Sequence, residues 1–447
     1  MKFISNSNDL SMYLNTPVKK NIEIRSFSTD TRCIKKEDLF IAIKGEMFNG
    51  NHYVESALKK GACLVIADDK RFRDSKNKKI IYVRDSILAL KKISKNIIKE
   101  YSGNIIGITG SNGKTTTTKI IANSLKSSSS TLKNFNNEIG MPLSIISANK
   151  KSKNLIIEMG AAKPNDIHYL SSILKPKIGI ITNIGNSHLK SLKNIRGVFK
   201  VKSELIPNIK KNGCLVLPDE NKDHLKLWKN IRNDINIITF GLQNSADFYP
   251  SNIEYNLNKT KFYICSQKYK VKIKINTALA GEHNIKNILA SFAASFFLNN
   301  PNELFIESLT KNLDLIINRQ KQSKWIKGSL LIDDTYNANP DSVKKSIDLL
   351  TSTNKRKVLV LGDMLELGRF KKKMHKDIGV YAALKKIDIF LGFGDLTKYS
   401  VKSFGKKGFF FKSEDDLRKY IKKNINSKDV VLLKGSRGMK MERFINV

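Results

Sequence analysis

The sequence predicts an α/β protein of three units: a small N-terminal α/β unit, a central phosphate-loop unit on a mostly parallel sheet, and a C-terminal Rossmann-like unit. Three observations lead there. At 447 residues the chain exceeds the ~250–300 residues at which a single core stops growing. An apolar run at 105–109 passes through a Gly-containing turn into a helical pattern, the strand–loop–helix context that phosphate binding requires. Beyond residue 329, short apolar runs and helical patterns alternate to the end of the chain, as in a doubly wound sheet.

Taken in order, residues 1–101 hold strand-like runs at 39–43, 63–67 and 80–83 and a helical segment at 53–60 that Gly61 stops. Residues 102–316 open with the strand at 105–109 and the helix at 114–125, then offer strands at 155–158, 178–182 and 214–217 and a buried helix at 284–298. Ser127 to Ser130 read as a short low-complexity piece. Residues 317–447 alternate strands at 329–333, 357–361, 387–391 and 430–433 with helices at 341–350, 374–384 and 414–423.

The net charge of +40 raises nucleic acid or a membrane surface as a partner. Its lysines are spread along the chain without an Arg-rich arm or a recognisable nucleic-acid module, so the expectation is a solvated basic surface that attracts polyanionic substrates, with no nucleic-acid partner. A 40% hydrophobic content excludes a disordered chain. Cys33, Cys63, Cys214 and Cys265 show no metal-ligand spacing and no C-x-x-C motif; reduced, mostly buried thiols are expected. The first residues lack a signal-peptide pattern and no run reaches the ~18 apolar residues that span a bilayer, which predicts a cytoplasmic monomer without membrane insertion.

The strongest local signal is Gly107-Ile108-Thr109-Gly110-Ser111-Asn112-Gly113-Lys114-Thr115-Thr116. Its glycines let backbone N–H groups and a helix N-terminus face phosphates, with Lys114 on the β- and γ-phosphates and the Thr115 hydroxyl on Mg²⁺. Glu158 ends a strand, so its carboxylate should emerge beside this loop, where one carboxylate suits Mg²⁺. Thr182-Asn183-Ile184-Gly185-Asn186-Ser187-His188-Leu189 leaves the next strand similarly and brings His188 into the same crevice, although a lone His is more often structural. Asp333-Asp334-Thr335-Tyr336-Asn337-Ala338-Asn339-Pro340 ends a strand where acidic groups meet a ribose, and Asn339 with Pro340 also makes a good helix start. By composition alone, Lys200 and Lys202 read as solvent-exposed, Asn284 as a helix cap, and Asn136-Asn137 as a polar turn before a helix near Pro142.

The Thr-Gly-x-Asn-Gly-Lys-Thr form of the loop resembles that of the Mur ligases and the related folylpolyglutamate synthases, both of which make amide bonds. Further segments, in the same order over almost the whole chain, carry the likeness: Asn134 to Pro142, Lys200-Val201-Lys202-Ser203-Glu204, Gly281-Glu282-His283-Asn284-Ile285-Lys286-Asn287, Leu361 to Gly368 with His375, and Lys434-Gly435-Ser436-Arg437. The resemblance implies an ATP-dependent ligase that joins D-alanyl-D-alanine to UDP-N-acetylmuramoyl-tripeptide through an acyl phosphate. A ligase adding the third amino acid, a folylpolyglutamate-synthase-like ligase and a P-loop nucleic-acid switch are the alternatives. It also implies ATP on Thr109 to Thr116, an adenine site at Asn284 and Asn287, a nucleotide contact from Arg319, and a ribose contact from Asp334. Lys202 is implied to become a carbamate that, with Thr115, Glu158 and His188, holds Mg²⁺; lysine reacts with CO₂ only when deprotonated, which a cleft hostile to its charge promotes. Lys114, Glu158, His188 and Lys202 are thus the implied catalytic set. Ser28, Thr29, Arg32 and Lys44 are implied to bind the uridine-sugar pyrophosphate, for which a guanidinium, an ammonium and small hydroxyls suit. Asn136, Asn137, Tyr336 and Asn337 are implied on the peptide substrate, with the 361–368 and 434–437 loops closing over it.

Overall fold

The computed structural model describes residues 2–17, 21–45, 48–310 and 321–447, whose strands form four sheets. In the first sheet Ser26–Ser28, Asp38–Ile41, Leu64–Ala67 and Ile80–Tyr82 lie parallel in chain order. Asp38–Ile41 and Leu64–Ala67 are buried at every position, as strands of a parallel sheet covered on both faces must be. The helix expected at 53–60 is a 3₁₀ turn, Gly50–Tyr53, that runs into Val54–Lys59. The helix Ser86–Glu100, which no motif announced, is started by the Asp85 carboxylate accepting from the Leu88 N–H. It buries Ala89, Leu90, Ile93 and Ile97 on one face and packs on Gly140–Ile146 and Asp166–Leu174. The first unit therefore shares a core with the second.

The central sheet has six parallel strands in the order Asn236–Phe240, Cys214–Pro218, Ile178–Ile181, Asn104–Thr109, Asn154–Glu158 and Ser128–Ser130. The serine run read as low complexity is thus an edge strand. From Asn104–Thr109 the chain goes first to one side of the sheet and then to the other, which places a ligand crevice at that strand's carboxyl end. The helices Lys114–Ser124 and Glu282–Phe297 cover one face, and the latter is buried at nearly every position after its first turn. An antiparallel sheet of Tyr249–Tyr255, Thr260–Ser266 and Val271–Thr277 follows; it was not anticipated. Its Phe262, Ile264 and Ile275 and the neighbouring Phe248 enter the second core with Phe292 and Phe305.

The third unit's sheet runs Lys321–Lys324, Leu330–Asp334, Asp429–Lys434, Arg356–Gly362, Ile389–Phe393 and Gly408–Phe411, parallel except for the first strand. The strand expected at 387–391 is Ile389–Phe393, because residues 385–387 finish the helix Lys371–Leu384: Lys386 is left-handed at φ +54° and the Ile387 N–H returns to the Ala382 carbonyl. All four cysteines are free, but only Cys214 is buried and Cys33 is exposed, which corrects the expectation of mostly buried thiols. Among the described residues no helix is long and apolar enough to cross a membrane.

Candidate active site

The phosphate-binding loop is shaped by two glycines. Gly110 and Gly113 have φ of +143° and +83°, and a Cβ on them would lie 2.0 Å from Thr182 Oγ1 and 2.2 Å from Asn287 Oδ1 respectively. Neither conformation nor space admits a side chain. Between them Asn112 is pinned by the next strand's exit: its N–H donates to Asn183 Oδ1 at 3.0 Å, and its carbonyl accepts from Asn183 Nδ2 at 2.9 Å and Thr182 Oγ1 at 2.6 Å. Lys114 Nζ donates to the Gly110 carbonyl at 2.9 Å. Ser111, Asn112, Gly113, Lys114 and Thr116 line a cavity of about 930 Å³, with the N-terminus of Lys114–Ser124 beside it, a favourable place for anionic phosphates.

Glu158 lies where the sequence placed it, at the end of its strand and 3% exposed. Its Oε2 accepts from Thr115 Oγ1 at 2.8 Å and its Oε1 from Asn136 Nδ2 at 2.7 Å. Asn137 instead turns its side chain to the Gly140 N–H at 2.8 Å, heading the helix Gly140–Ile146. Among the described residues no cluster of three His, Cys, Asp or Glu could hold a metal unaided. A hydroxyl and one carboxylate beside a phosphate loop are still the donor set that suits Mg²⁺, which keeps several waters and takes its remaining oxygens from phosphates.

His188 is left-handed at φ +52°, and its Nδ1 lies 2.6 Å from Oε2 of Glu366 in the third unit. That hydrogen bond holds the Glu366 carboxyl below its usual range, against a smaller upward push from burial. Lys202, far from exposed, is 1% accessible. Burial first and the nearby Lys114 cation second push its ammonium down to about 7, opposed by Asp166, Glu204 and Glu158. It is not among the residues that line the cavity. Its helix, Ile195–Ser203, is fixed by Phe199 stacked at 4.4 Å on His224 and at 5.1 Å on Trp228, whose Nε1 donates to Ser203 Oγ at 2.7 Å.

Asn284 and Asn287 are buried and still reach the cavity. Gly281, at φ +91°, occupies the cap position, which corrects the capping alternative for Asn284: its Nδ2 ties back to the Ala280 carbonyl at 2.8 Å, and Asn287 Nδ2 donates to Asn284 Oδ1 at 3.3 Å. Asp334 faces the cavity too, but its Oδ2 is engaged by Lys434 Nζ at 2.5 Å and Ser346 Oγ at 2.7 Å. Tyr336 and Asn337 line the same wall. Asn339 heads the helix Pro340–Leu350 with a capping box to Ser342 and Pro340 in the first turn, as the sequence suggested.

The third unit meets the phosphate loop directly. Asn339 Nδ2 donates to Asn112 Oδ1 at 2.8 Å, and Asp341 Oδ2 accepts from the Asn186 N–H at 2.6 Å. Asp341 could have been read as a first-turn acid. Lys345, half-buried and pushed down by burial and by Lys286, lines the cavity with no signal in the sequence to announce it. In the 361–368 segment, Leu365, Glu366 and Leu367 reach the cavity. Asp363 and His375 work from beneath: Asp363, whose carboxyl burial pushes up, accepts from the Leu396 and Thr397 N–H groups, and His375 Nε2 accepts from the Met364 N–H at 3.1 Å. Ser436 and Arg437 complete that wall.

Ser28, Thr29, Arg32 and Lys44 do not join this cavity. Arg32 forks onto Asp30 at the surface, with Nη2 at 2.7 Å, and Ser28 Oγ bonds the Asp30 carbonyl. The first unit instead supplies Asp85, Ile87 and Leu88 to the cavity. Arg319 lies outside the described residues.

Three family models match in order: Mur ligase family, catalytic domain, at 23–98; Mur ligase middle domain at 108–295; and Mur ligase, glutamate ligase domain, at 319–437. The UDP-N-acetylmuramoyl-tripeptide--D-alanyl-D-alanine ligase of Buchnera aphidicola subsp. Baizongia pistaciae is 33% identical over 447 residues, covering 99% of this chain and 96% of the relative. A crystal structure of MurF from Acinetobacter baumannii superposes with a TM-score of 0.87 at 25% identity, covering 100% of this chain and 98% of that one. The MurF ligase of Thermotoga maritima, solved in complex with ADP, gives 0.80 at 28% identity, covering 94% and 96%. The chain belongs to the Mur ligase family, within its MurF branch.

Proposed function

We propose that this chain is a cytoplasmic, monomeric ATP-dependent amide ligase that joins D-alanyl-D-alanine to UDP-N-acetylmuramoyl-tripeptide. The observation that carries the reading is a phosphate-binding loop opening into one cavity of about 930 Å³ whose walls come from all three units. Such a cavity can bring a nucleotide, a long peptide donor and an amine together. The division at 1–101, 102–316 and 317–447 belongs to the proposal; its second boundary lies outside the described residues.

In the first step an oxygen of the tripeptide's terminal carboxylate bonds to the γ-phosphorus of ATP as the bond to ADP breaks. The loop N–H groups and Lys114 receive the charge that gathers on the phosphates. Mg²⁺, when bound, neutralises the β- and γ-oxygens; Thr115, Glu158, His188 and a carbamylated Lys202 would hold it. At about 7 a large share of Lys202 is neutral amine near pH 7, ready to bond to CO₂ and lose a proton. In the second step the amine of D-alanyl-D-alanine bonds to the acyl-phosphate carbonyl and phosphate leaves. Asn284 and Asn287 each offer a donor and an acceptor, the pairing an adenine edge needs. Positioning in the shared cavity supplies much of the rate, roughly 7–11 kcal/mol in well-oriented systems. Asp334, already paired with Lys434, reaches a ribose only as part of that pair. The Ser28, Thr29, Arg32 and Lys44 set, apart from the cavity, fits the distal uridine-sugar end of the donor.

The test is ADP release with ATP, Mg²⁺ and UDP-N-acetylmuramoyl-tripeptide, with and without D-alanyl-D-alanine, beside a dipeptide substrate with diaminopimelate or lysine. Release that needs both tripeptide and D-alanyl-D-alanine, with the pentapeptide seen by mass, is the expected result. Turnover of the dipeptide alone overturns it in favour of a ligase adding the third residue.

A further inference from the structure

We infer that Glu366 is a positioning residue for His188, lent by the third unit to the cation-holding set of the central one. The inference rests on the reading of His188 as a Mg²⁺ ligand. A carboxylate is an acceptor only, so in the neutral imidazole the 2.6 Å contact between His188 Nδ1 and Glu366 Oε2 places the proton on Nδ1 and leaves the Nε2 lone pair available. Histidines that bind metals are commonly oriented in this way, by a carboxylate on the nitrogen away from the ion.

Both ends of the contact are built for it. His188 and Glu366 are left-handed at φ +52° and +62° without being glycine, conformations that persist only where the surroundings enforce them. The Lys190 N–H donates to the Glu366 carbonyl at 2.9 Å, and at Gly368, itself at φ +55°, a Cβ would stand 3.1 Å from Lys190 Cα. The turn Gly368–Phe370 thus seats on the helix Leu189–Leu192. Glu366 faces the cavity with a side chain 60% exposed, so its place there is not explained by core packing. The consequence is that His188 is oriented for a cation only when the third unit is docked.

Two readouts on the full-length protein test this. Histidine ¹⁵N spectra, with six histidines in the chain and His188 assigned through His188→Gln, report the tautomer. Electron paramagnetic resonance of Mn²⁺ with ADP reports cation affinity. The wild type should show His188 protonated on Nδ1. Glu366→Ala should lose that signature and weaken Mn²⁺ about 10–100-fold, the usual effect of removing an orienting partner. Glu366→Gln, which keeps an acceptor oxygen, should recover the tautomer and part of the affinity. An unchanged tautomer and affinity in Glu366→Ala, when His188→Gln does weaken Mn²⁺, overturns the inference and leaves the metal role intact. Unchanged Mn²⁺ affinity in His188→Gln overturns the metal reading and the inference with it.

Discussion

Replacing Lys202 by Met should make the ligand-free protein more stable while abolishing catalysis. The side chain is fully buried, and its ammonium is pushed from an ordinary 10.5 down to about 7. That gap corresponds to on the order of 4 kcal/mol of native stability withheld at pH 7. Between pH 7 and 10.5 the unfolded lysine carries a proton that the folded one lacks, so wild-type stability contains a component that rises with pH across this window. Below about 7 both states hold the proton and the deficit is full and constant. Met keeps the aliphatic bulk but has no charge to desolvate; because Asp166, Glu204 and Glu158 lose a favourable partner, the gain expected at pH 7 is about 2–4 kcal/mol. The assay is urea unfolding followed by Trp228 fluorescence in a Trp325→Phe background, in CO₂-free buffer, from pH 6.5 to 9.5. Trp228 packs on the Lys202 helix and so reports the unit concerned, which matters in a chain too large to unfold as one two-state system. Taking the difference between variant and wild type cancels the titrating groups that do not interact with Lys202. A difference that stays constant over this range refutes the electrostatic account of Lys202.

Three further outcomes follow from the same geometry. With ¹³C-bicarbonate, the wild type should show a carbamate carbonyl resonance that Lys202→Met lacks; identical spectra would remove the carbamate from the cation-holding set. Gly113→Ala, strained at φ +83° and driven into Asn287 Oδ1, should cost about 1–3 kcal/mol of stability and weaken ADP at least tenfold in calorimetric titration, whereas wild-type ADP affinity would mean that the loop relaxes freely. Lys434→Met strands Asp334 in a site where the two side chains are only 3% and 6% exposed; a loss of about 3–5 kcal/mol is expected, and a urea midpoint equal to wild type would show that Ser346 alone suffices for Asp334.

What could be read from the sequence was the grammar that stays local. A strand, two glycines that must be glycine and a helix specify the phosphate loop without reference to anything distant, and Glu158 follows because its strand lies next to that loop's strand. The third unit's alternation was equally legible, since each strand of a parallel sheet is a short apolar run. The antiparallel strand Val271–Thr277 carries a readable alternation, Val271-Lys272-Ile273-Lys274-Ile275, and its two lysines give it the look of a solvated surface. Lys202 reads as exposed by composition, because nothing in its neighbours says that Trp228 and His224, from another helix, stack on Phe199 of its own. The contacts between units, Asn112 with Asn339 and His188 with Glu366, join segments remote in the chain. Polar residues announce no partner, and only the packing of whole sheets decides which of them meet.

Beside Glu366, the polar part of the seam between the second and third units includes an amide pair and a backbone N–H held by Asp341. Each such bond exchanges with water for a net of only ~0.5–1.5 kcal/mol. The seam also has apolar seats, with Leu257 and Ala280 of the second unit in the third unit's core and Phe370 and Met374 of the third packed on the second's, so opening it exposes apolar surface as well as polar groups. A nucleotide that favours the shut form about a hundredfold would add ~2.7 kcal/mol to that hold.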